Sequence, residues 1–335
     1  MTTIAITMGC PAGIGPEIII RYYADRKDPD TIPSVVIGDI GILRKCIDEL
    51  HLNLQCVNWE PGSPVPDGVV PVLQHSSLDP QKLIWGQPDI HTARAMAGYI
   101  ESAVNLVQEG TIQGIVTCPI SKDALQKAGY AFPGHTEMLA SLTGSAKYAM
   151  MLAGNRLKVT LVTIHCSLKE VPGLLSTEAI YELISTTHSA LTVDFGIKKP
   201  RIAVAGLNPH GGENRLFGTE EDQCIAPAVH LAQENGIDAA GPFPPDTVFF
   251  QAASGKYDVV VCMYHDQGLI PFKLLHFNDG VNVTLGLPIV RTSVDHGTAY
   301  DIAGKGIASH ESLAEAVKLA AIISTNRAHA SKTIL

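Results

Sequence analysis

Aromatic residues make up only 6% of this chain and charged residues 17%, and Lys and Arg never gather in blocks. With a net charge of -9 and no basic stripe, nucleic acid and anionic membrane surfaces are not expected partners. An anionic substrate must then be recruited by a local site that works against the overall field. No apolar run approaches the ~20 residues of a membrane-crossing helix, so no membrane role is expected. The start, Met-Thr-Thr-Ile-Ala-Ile, lacks the basic stretch and apolar core of a signal peptide. Cys-x-x-Cys pairs are absent too. The seven cysteines are scattered and odd in number, which excludes a disulfide framework and fits free thiols in a reducing cytoplasm. Gly-x-Gly-x-x-Gly does not occur, so a Rossmann fingerprint is not supported. Internal repeats and low-complexity tracts are missing as well.

What is present is an ordinary globular composition, 46% hydrophobic over 335 residues, long enough for about two domains. Short apolar runs alternate with helical patterns, the mark of an α/β fold. Thr3 to Met8 reads as a strand entering the glycine-rich run Gly9 to Gly15, with Pro16 and Glu17 suited to the first turn of a helix. That loop is either a backbone cradle for a phosphate or cofactor, or a tight turn that needs glycines. Ile90 to Gln108 is an amphipathic helix, and Ser121 is placed to cap the next one, with Lys122 expected to face solvent. Helices are also expected over Ser176 to Leu191 and over Glu220 to Asn235, closed by Gly236.

Three strands each run into a histidine. Val159 to Ile164 ends at His165, Arg201 to Leu207 leads to Asn208-Pro209-His210, and Val259 to Met263 leads to Tyr264-His265-Asp266-Gln267-Gly268. Ligands in such folds sit at the carboxyl ends of strands. Three imidazoles at those ends suit an open site for a divalent metal, with Asp246 as a fourth ligand or an outer-shell partner. The competing reading is coincidence among 13 histidines, with Asp246 capping a helix that starts at Thr247. His135 and Thr136 follow Pro133-Gly134 at a helix start, either as anion-binding groups or as an N-cap with an incidental histidine. Lys273 in an apolar run, Asn282 within a strand and Arg291 closing one are costly to bury unless an anionic substrate or internal acids pair them.

Six ordered motifs carry a resemblance over essentially the whole chain. They are Met8-Gly9-x-Pro11-Ala12-Gly13-Ile14-Gly15-Pro16-Glu17, Gly134-His135-Thr136-Glu137, Asn208-Pro209-His210, Pro245-Asp246-Thr247, Met263-Tyr264-His265-Asp266-Gln267-Gly268 and Asp295-His296-Gly297-Thr298-Ala299. Together they resemble the 4-hydroxythreonine-4-phosphate dehydrogenase family of pyridoxal phosphate biosynthesis and its threonate and erythronate 4-phosphate dehydrogenase relatives. The resemblance implies two α/β/α domains with a central cleft, as in isocitrate and isopropylmalate dehydrogenases. Residues 1–125 and 270–335 would form the domain on the nicotinamide side, and 126–269 the domain on the metal and dimer side.

It further implies a homodimer with shared active sites, in which His165, His210 and His265 from both subunits bind zinc, magnesium or cobalt. His135, Thr136, Lys273, Asn282 and Arg291 would bind a small phosphorylated hydroxy acid. The loop from His296 to Gly304, with Gly297, Thr298, Ala299 and Asp301, would hold NAD or NADP. Asp246 is the implied proton acceptor, with His265 also in a catalytic role. The implied reaction is oxidation of 4-phosphohydroxy-L-threonine to a β-keto acid that loses carbon dioxide. Rival expectations are D-threonate or D-erythronate 4-phosphate as substrate, a cis-dihydrodiol carboxylate, or a metal-dependent lyase without nicotinamide. One departure stands out: Cys10 occupies a position where the family usually has an acid.

Overall fold

A computed structural model describes residues 2–26, 32–132 and 134–333. Pro133 therefore lies outside the described residues. The chain forms two compact units, Met1–Ala146 with Leu287–Thr325, and Lys147–Gly286 with Asn326–Leu335.

The first unit contains β1 (Ile4–Thr7), α1 (Gly15–Ala24), β2 (Ser34–Gly38), α2 (Ile40–Glu49), β3 (Cys56–Asn58) and β4 (Val70–Gln74). It continues with α3 (Ile90–Gln108), β5 (Gly114–Thr117), α4 (Lys122–Lys127) and α5 (His135–Leu142). The second holds β6 (Ala149–Ala153), β7 (Lys158–Leu161), α6 (Val171–Leu174), α7 (Thr177–Val193), β8 (Ile202–Ala205) and α8 (Ala226–Glu234). After these come β9 (Ala239–Phe243), α9 (Pro245–Ala253), β10 (Val259–Cys262), α10 (His265–Leu275) and β11 (Val281–Leu285). Finally β12 (Arg291–Val294) returns to the first unit, and α11 (Glu311–Thr333) begins there.

In the first unit the strand order is β3-β4-β2-β1-β5-β12, and every pairing is parallel. In the second it is β11-β6-β7-β10-β8-β9, with β6 antiparallel to both neighbours and the rest parallel. Parallel strands covered on both faces need no polar alternation. Hence Ile-Ala-Ile-Thr in β1 and Val-Val-Val-Cys in β10 are buried throughout.

Side chains written at the helix starts fix where the helices begin. Asp39 Oδ1 accepts from the amides of Gly41 and Ile42 at 2.9 and 3.2 Å, Asp89 forms a capping box with Thr92, and Ser121 accepts from Ala124 at 3.2 Å. Gly9 has φ +68 and lies against the carbonyls of Cys118 and Pro119, where a Cβ has no room.

The unit boundaries differ from the expected 125 and 270. Residues 126–146 stay in the first unit because α5 packs on α3. Residues 270–286 stay in the second because α10 packs on β7 and β10 while β11 pairs with β6. The chain end from Asn326 joins the second unit through Arg327, whose Nε and Nη2 donate to Asp194 at 2.7 and 2.9 Å. Among the described residues, no helix is long and apolar enough to cross a membrane.

Candidate active site

In the second unit, His265 is the first residue of α10, three positions past the end of β10 at Cys262. His165 lies four positions past the end of β7 at Leu161, on a segment still bonded to the β10 side: Val162 and Thr163 donate to Cys262 and Met263 at 2.9 and 3.2 Å. Adjacent parallel strands therefore bring the two rings to 5.9 Å, with their planes at 39°. Nδ1 of His265 sits 2.8 Å from Asp266 Oδ1. An ionised carboxylate only accepts, so Nδ1 is the donor in this contact, and the neutral ring compatible with it is the tautomer with its lone pair on Nε2, the one a metal ligand needs. A cavity of about 680 Å³ opens here, lined by Thr163, His165, Cys166, Glu170, Tyr264 and His265 among others.

His210 is not gathered with this pair. Among the described residues, no three His, Cys, Asp or Glu side chains stand close enough together to hold a metal ion. His210 lies five residues beyond β8, in a run of left-handed backbone from His210 to Arg215, and its ring packs 6.3 Å from Phe217. Asp246 is exposed in the first turn of α9. It does not cap a helix from Thr247, because α9 already begins at Pro245.

In the first unit, Gly134 is the N-cap of α5 and His135 its first residue, so Thr136 is not the cap. His135 is half-buried, but its Nε2 is fully enclosed and has no hydrogen-bond partner. Burial, reinforced by the positive charges of Arg291 and Lys122, pushes its pKa well below the usual imidazole range. Arg291 opens β12 instead of closing a strand, since it is the first residue of its run in register with β5, against Ile115. It is buried, donates from Nε and Nη2 to Thr117 Oγ1 at 3.2 and 2.7 Å, and is pushed down by burial to about 10, with Glu137 opposing the shift.

A neutral, enclosed imidazole nitrogen between two cations at a helix N-terminus is equipment for an anion. Lys122 was assigned to solvent. It is exposed, yet its charge acts on His135 and its Cε lies 3.4 Å from where a Cβ on Gly134 would stand. No spacing in the sequence signals that approach, which depends on how α4 and α5 are placed. Thr136 is half-buried beside His135, Lys273 is half-buried on α10 with Nζ 5.8 Å from the Phe277 ring, and Asn282 is half-buried in β11.

The run from His296 to Asp301 also belongs to the first unit, and the glycine-rich loop holds it. Ile14 N donates to the Thr298 carbonyl at 3.1 Å, Tyr300 OH donates to Cys10 Sγ at 3.3 Å, and Ala308 N donates to Glu17 Oε1 at 2.8 Å. Arg21 Nη2 also bonds the Gly306 carbonyl. His296 Nδ1 lies 3.2 Å from the Gly297 carbonyl, and Ala299 has φ +41. Gly297 and Asp301 are exposed, with open space beside Gly297. The glycine-rich loop thus fixes a second loop whose backbone and carboxylate are accessible, an arrangement that fits a dinucleotide. Cys10 is buried, and burial pushes its thiol pKa up.

Comparison with known proteins gives a consistent result. The model of the family described as pyridoxal phosphate biosynthetic protein PdxA matches residues 30–320. A 4-hydroxythreonine-4-phosphate dehydrogenase from Desulforapulum autotrophicum is 51% identical over 96% of this chain and 95% of its own. A protein of Oceanobacillus iheyensis provisionally named D-threonate 4-phosphate dehydrogenase is 44% identical over 94% and 95%. The crystal structure of 4-hydroxythreonine-4-phosphate dehydrogenase from Klebsiella pneumoniae superposes with a TM-score of 0.88 at 43% identity, covering 97% of this chain and 100% of that one. Sequence and α/β fold agree, and the chain belongs to the PdxA family of pyridoxal phosphate biosynthetic proteins.

Proposed function

We propose that this protein oxidises 4-phosphohydroxy-L-threonine with NAD or NADP to a β-keto acid that decarboxylates to 3-amino-2-oxopropyl phosphate. The observation that carries the reading is the enclosed Nε2 of His135 beside Arg291 and Lys122, which suits a phosphate monoester. The 51% identity to a 4-hydroxythreonine-4-phosphate dehydrogenase supports it. His135, Thr136 and Arg291 hold the anionic group, and Lys273 and Asn282 are further substrate contacts. His165, His210 and His265 hold a zinc, magnesium or cobalt ion. When bound, the ion supplies Lewis-acid polarisation of the substrate's oxygens, and the nicotinamide supplies the hydride acceptor. Asp266 keeps the His265 tautomer that leaves Nε2 available. Asp246, exposed to solvent, takes the hydroxyl proton. His296, Gly297, Thr298, Ala299 and Asp301 contact the dinucleotide.

The reading includes a cytoplasmic homodimer that completes the metal site, since among the described residues of one chain only two of the three histidines, His165 and His265, pair. Two features support it. Ile270 and Leu274 on one side of α10, with Phe277 just beyond, are 67%, 85% and 76% exposed, an apolar stripe on the helix that begins at His265. Leu216 and Phe217, next in chain to the His210 turn, are also exposed. All seven cysteines are free, as expected in a reducing compartment.

The test follows reduced-cofactor absorbance with 4-phosphohydroxy-L-threonine, NAD or NADP, and each metal, with and without chelator. Turnover that is lost with chelator is expected; no turnover on any 4-phosphorylated hydroxy acid overturns the reading. A second substrate, D-threonate or D-erythronate 4-phosphate, is favoured by the 44% identical relative, since the same phosphate pocket accepts either. Rates measured side by side separate them. Metal binding without any dinucleotide binding in calorimetry would instead point to a lyase.

A further inference from the structure

Two buried side chains that no role has yet absorbed join the three histidine-bearing loops to one another. Gln267 lies inside α10, and its Oε1 accepts from Met263 N at 2.7 Å while its Nε2 donates to the Gly206 carbonyl at 2.7 Å. One amide thus ties the β10–α10 corner, which carries His265, to the end of β8, which leads to His210. The same Met263 accepts through its carbonyl from Thr163 Oγ1 at 2.8 Å, two residues before His165.

On the far side, Glu221 is buried in a π-helical turn, Glu221–Ile225. Its Oε1 accepts from the amides of Leu207 and Asn208 at 2.8 and 2.7 Å, and its Oε2 accepts from Asn208 Nδ2 at 2.9 Å. Gly206 and Gly212 leave the room: a Cβ would stand 3.1 and 2.8 Å from the carboxylate oxygens. Single π-turns favour functional sites, and a left-handed non-glycine residue such as His210 at φ +55 persists only where its surroundings over-determine it.

We infer that Gln267 and Glu221 are positioning residues that lock the loops carrying His165, His210 and His265 in register, so that each chain offers the His165–His265 pair, and His210 apart from it, at fixed positions for divalent cations. The inference rests on the metal reading above. Partners bonded directly to a ligating histidine change metal affinity by about 10–100-fold when removed, and residues that fix the ligand loops act on the same spacing one bond further out. The Gln267 and Thr163 links are buried hydrogen bonds and the Glu221 links partly buried ones, so replacing one partner orphans another and lets its loop shift.

The experiment titrates full-length protein with cobalt(II), reading affinity by chelator competition and geometry by visible absorption. Gln267→Met removes both amide bonds at similar volume, and Gln267→Glu keeps the acceptor for Met263 N while turning the donor to Gly206 into a second acceptor. Glu221→Gln replaces one acceptor by a donor that faces Asn208. Arg327→Ala serves as a control that weakens the fold away from the loops. Cobalt binding about 10–100-fold weaker with an altered spectrum is expected in the Gln267 and Glu221 variants, and parental binding in Arg327→Ala. Parental affinity and spectrum in Gln267→Glu and Glu221→Gln overturn the inference while leaving the metal reading intact. A parent protein that binds no cobalt overturns both.

Discussion

His135 illustrates how a single residue acquires a function from its surroundings. Its Nε2 is enclosed without a partner, and burial, reinforced by two cations, holds the ring neutral. A hydrogen bond to a charged group contributes about 1.5–3 kcal/mol. His135→Ala is therefore expected to raise KM for the phosphorylated substrate by about 10–100-fold, with kcat changing far less, in steady-state assays. The pH consequence follows from the direction of the shift. Because the folded pKa lies below the ordinary ~6.5, the unfolded chain binds more protons in acid. The contribution is fully present above ~6.5 and is lost as pH falls from there toward the folded pKa. Melting temperatures recorded from pH 8 to 5 should fall less steeply in His135→Gln than in the parent. Cysteine exposure gives a second test at this scale. All cysteines except Cys166 are buried, and burial pushes the Cys10, Cys118 and Cys262 thiols up. A disulfide exchange reagent should titrate one thiol in the native protein and seven after denaturation. More than one fast-reacting thiol would contradict the burial of the other six.

Among the elements, α3 was fully legible. Ile90 to Gln108 repeats its apolar positions every three or four residues, and Asp89 and Thr92 write the cap, so the helix begins and ends where expected. The strands were legible in place but not in length. Val159 to Ile164 continues β-like chemistry, yet β7 closes at Leu161, opposite Cys262, where its partner β10 also ends. The helix expected over 220–235 is split into a π-turn and α8, since Glu221 is drawn inward by the amides after β8. At the chain end, α11 is held in the second unit by the Arg327–Asp194 pair and by Asn326 Nδ2, which donates to the Asp194 carbonyl at 2.8 Å. Asp194 is buried, so removing its partner leaves an uncompensated charge. Arg327→Ala should cost about 3–5 kcal/mol, measured by urea denaturation.

For the whole molecule, the apolar stripe of α10 leads to a prediction about assembly. Leu274→Glu places a charge in the middle of that stripe. In sedimentation velocity the parent should run as a dimer and the variant as a monomer, and turnover should fall with the dimer. A variant that remains dimeric with full activity would place the interface elsewhere. The division into units was only partly readable. The expected borders at 125 and 270 followed the motifs, whereas the observed ones follow the contacts of α5 with α3 and of β11 with β6.

Local patterns in the sequence sufficed for the α/β class, the starts of the capped helices, the buried parallel strands and the family. Each of these rests on neighbours within a few residues, or on motifs whose order survives without coordinates. They also marked His165, His210 and His265 as strand-end groups. Only the tertiary structure decided that two of the three rings meet within one chain, because that depends on which strands are adjacent and how far each loop runs past its strand. It alone placed Arg291 and Lys122 beside His135, and linked Gln267 to Gly206 across 61 positions of sequence. Separation of that size carries no periodicity, so packing alone can report it.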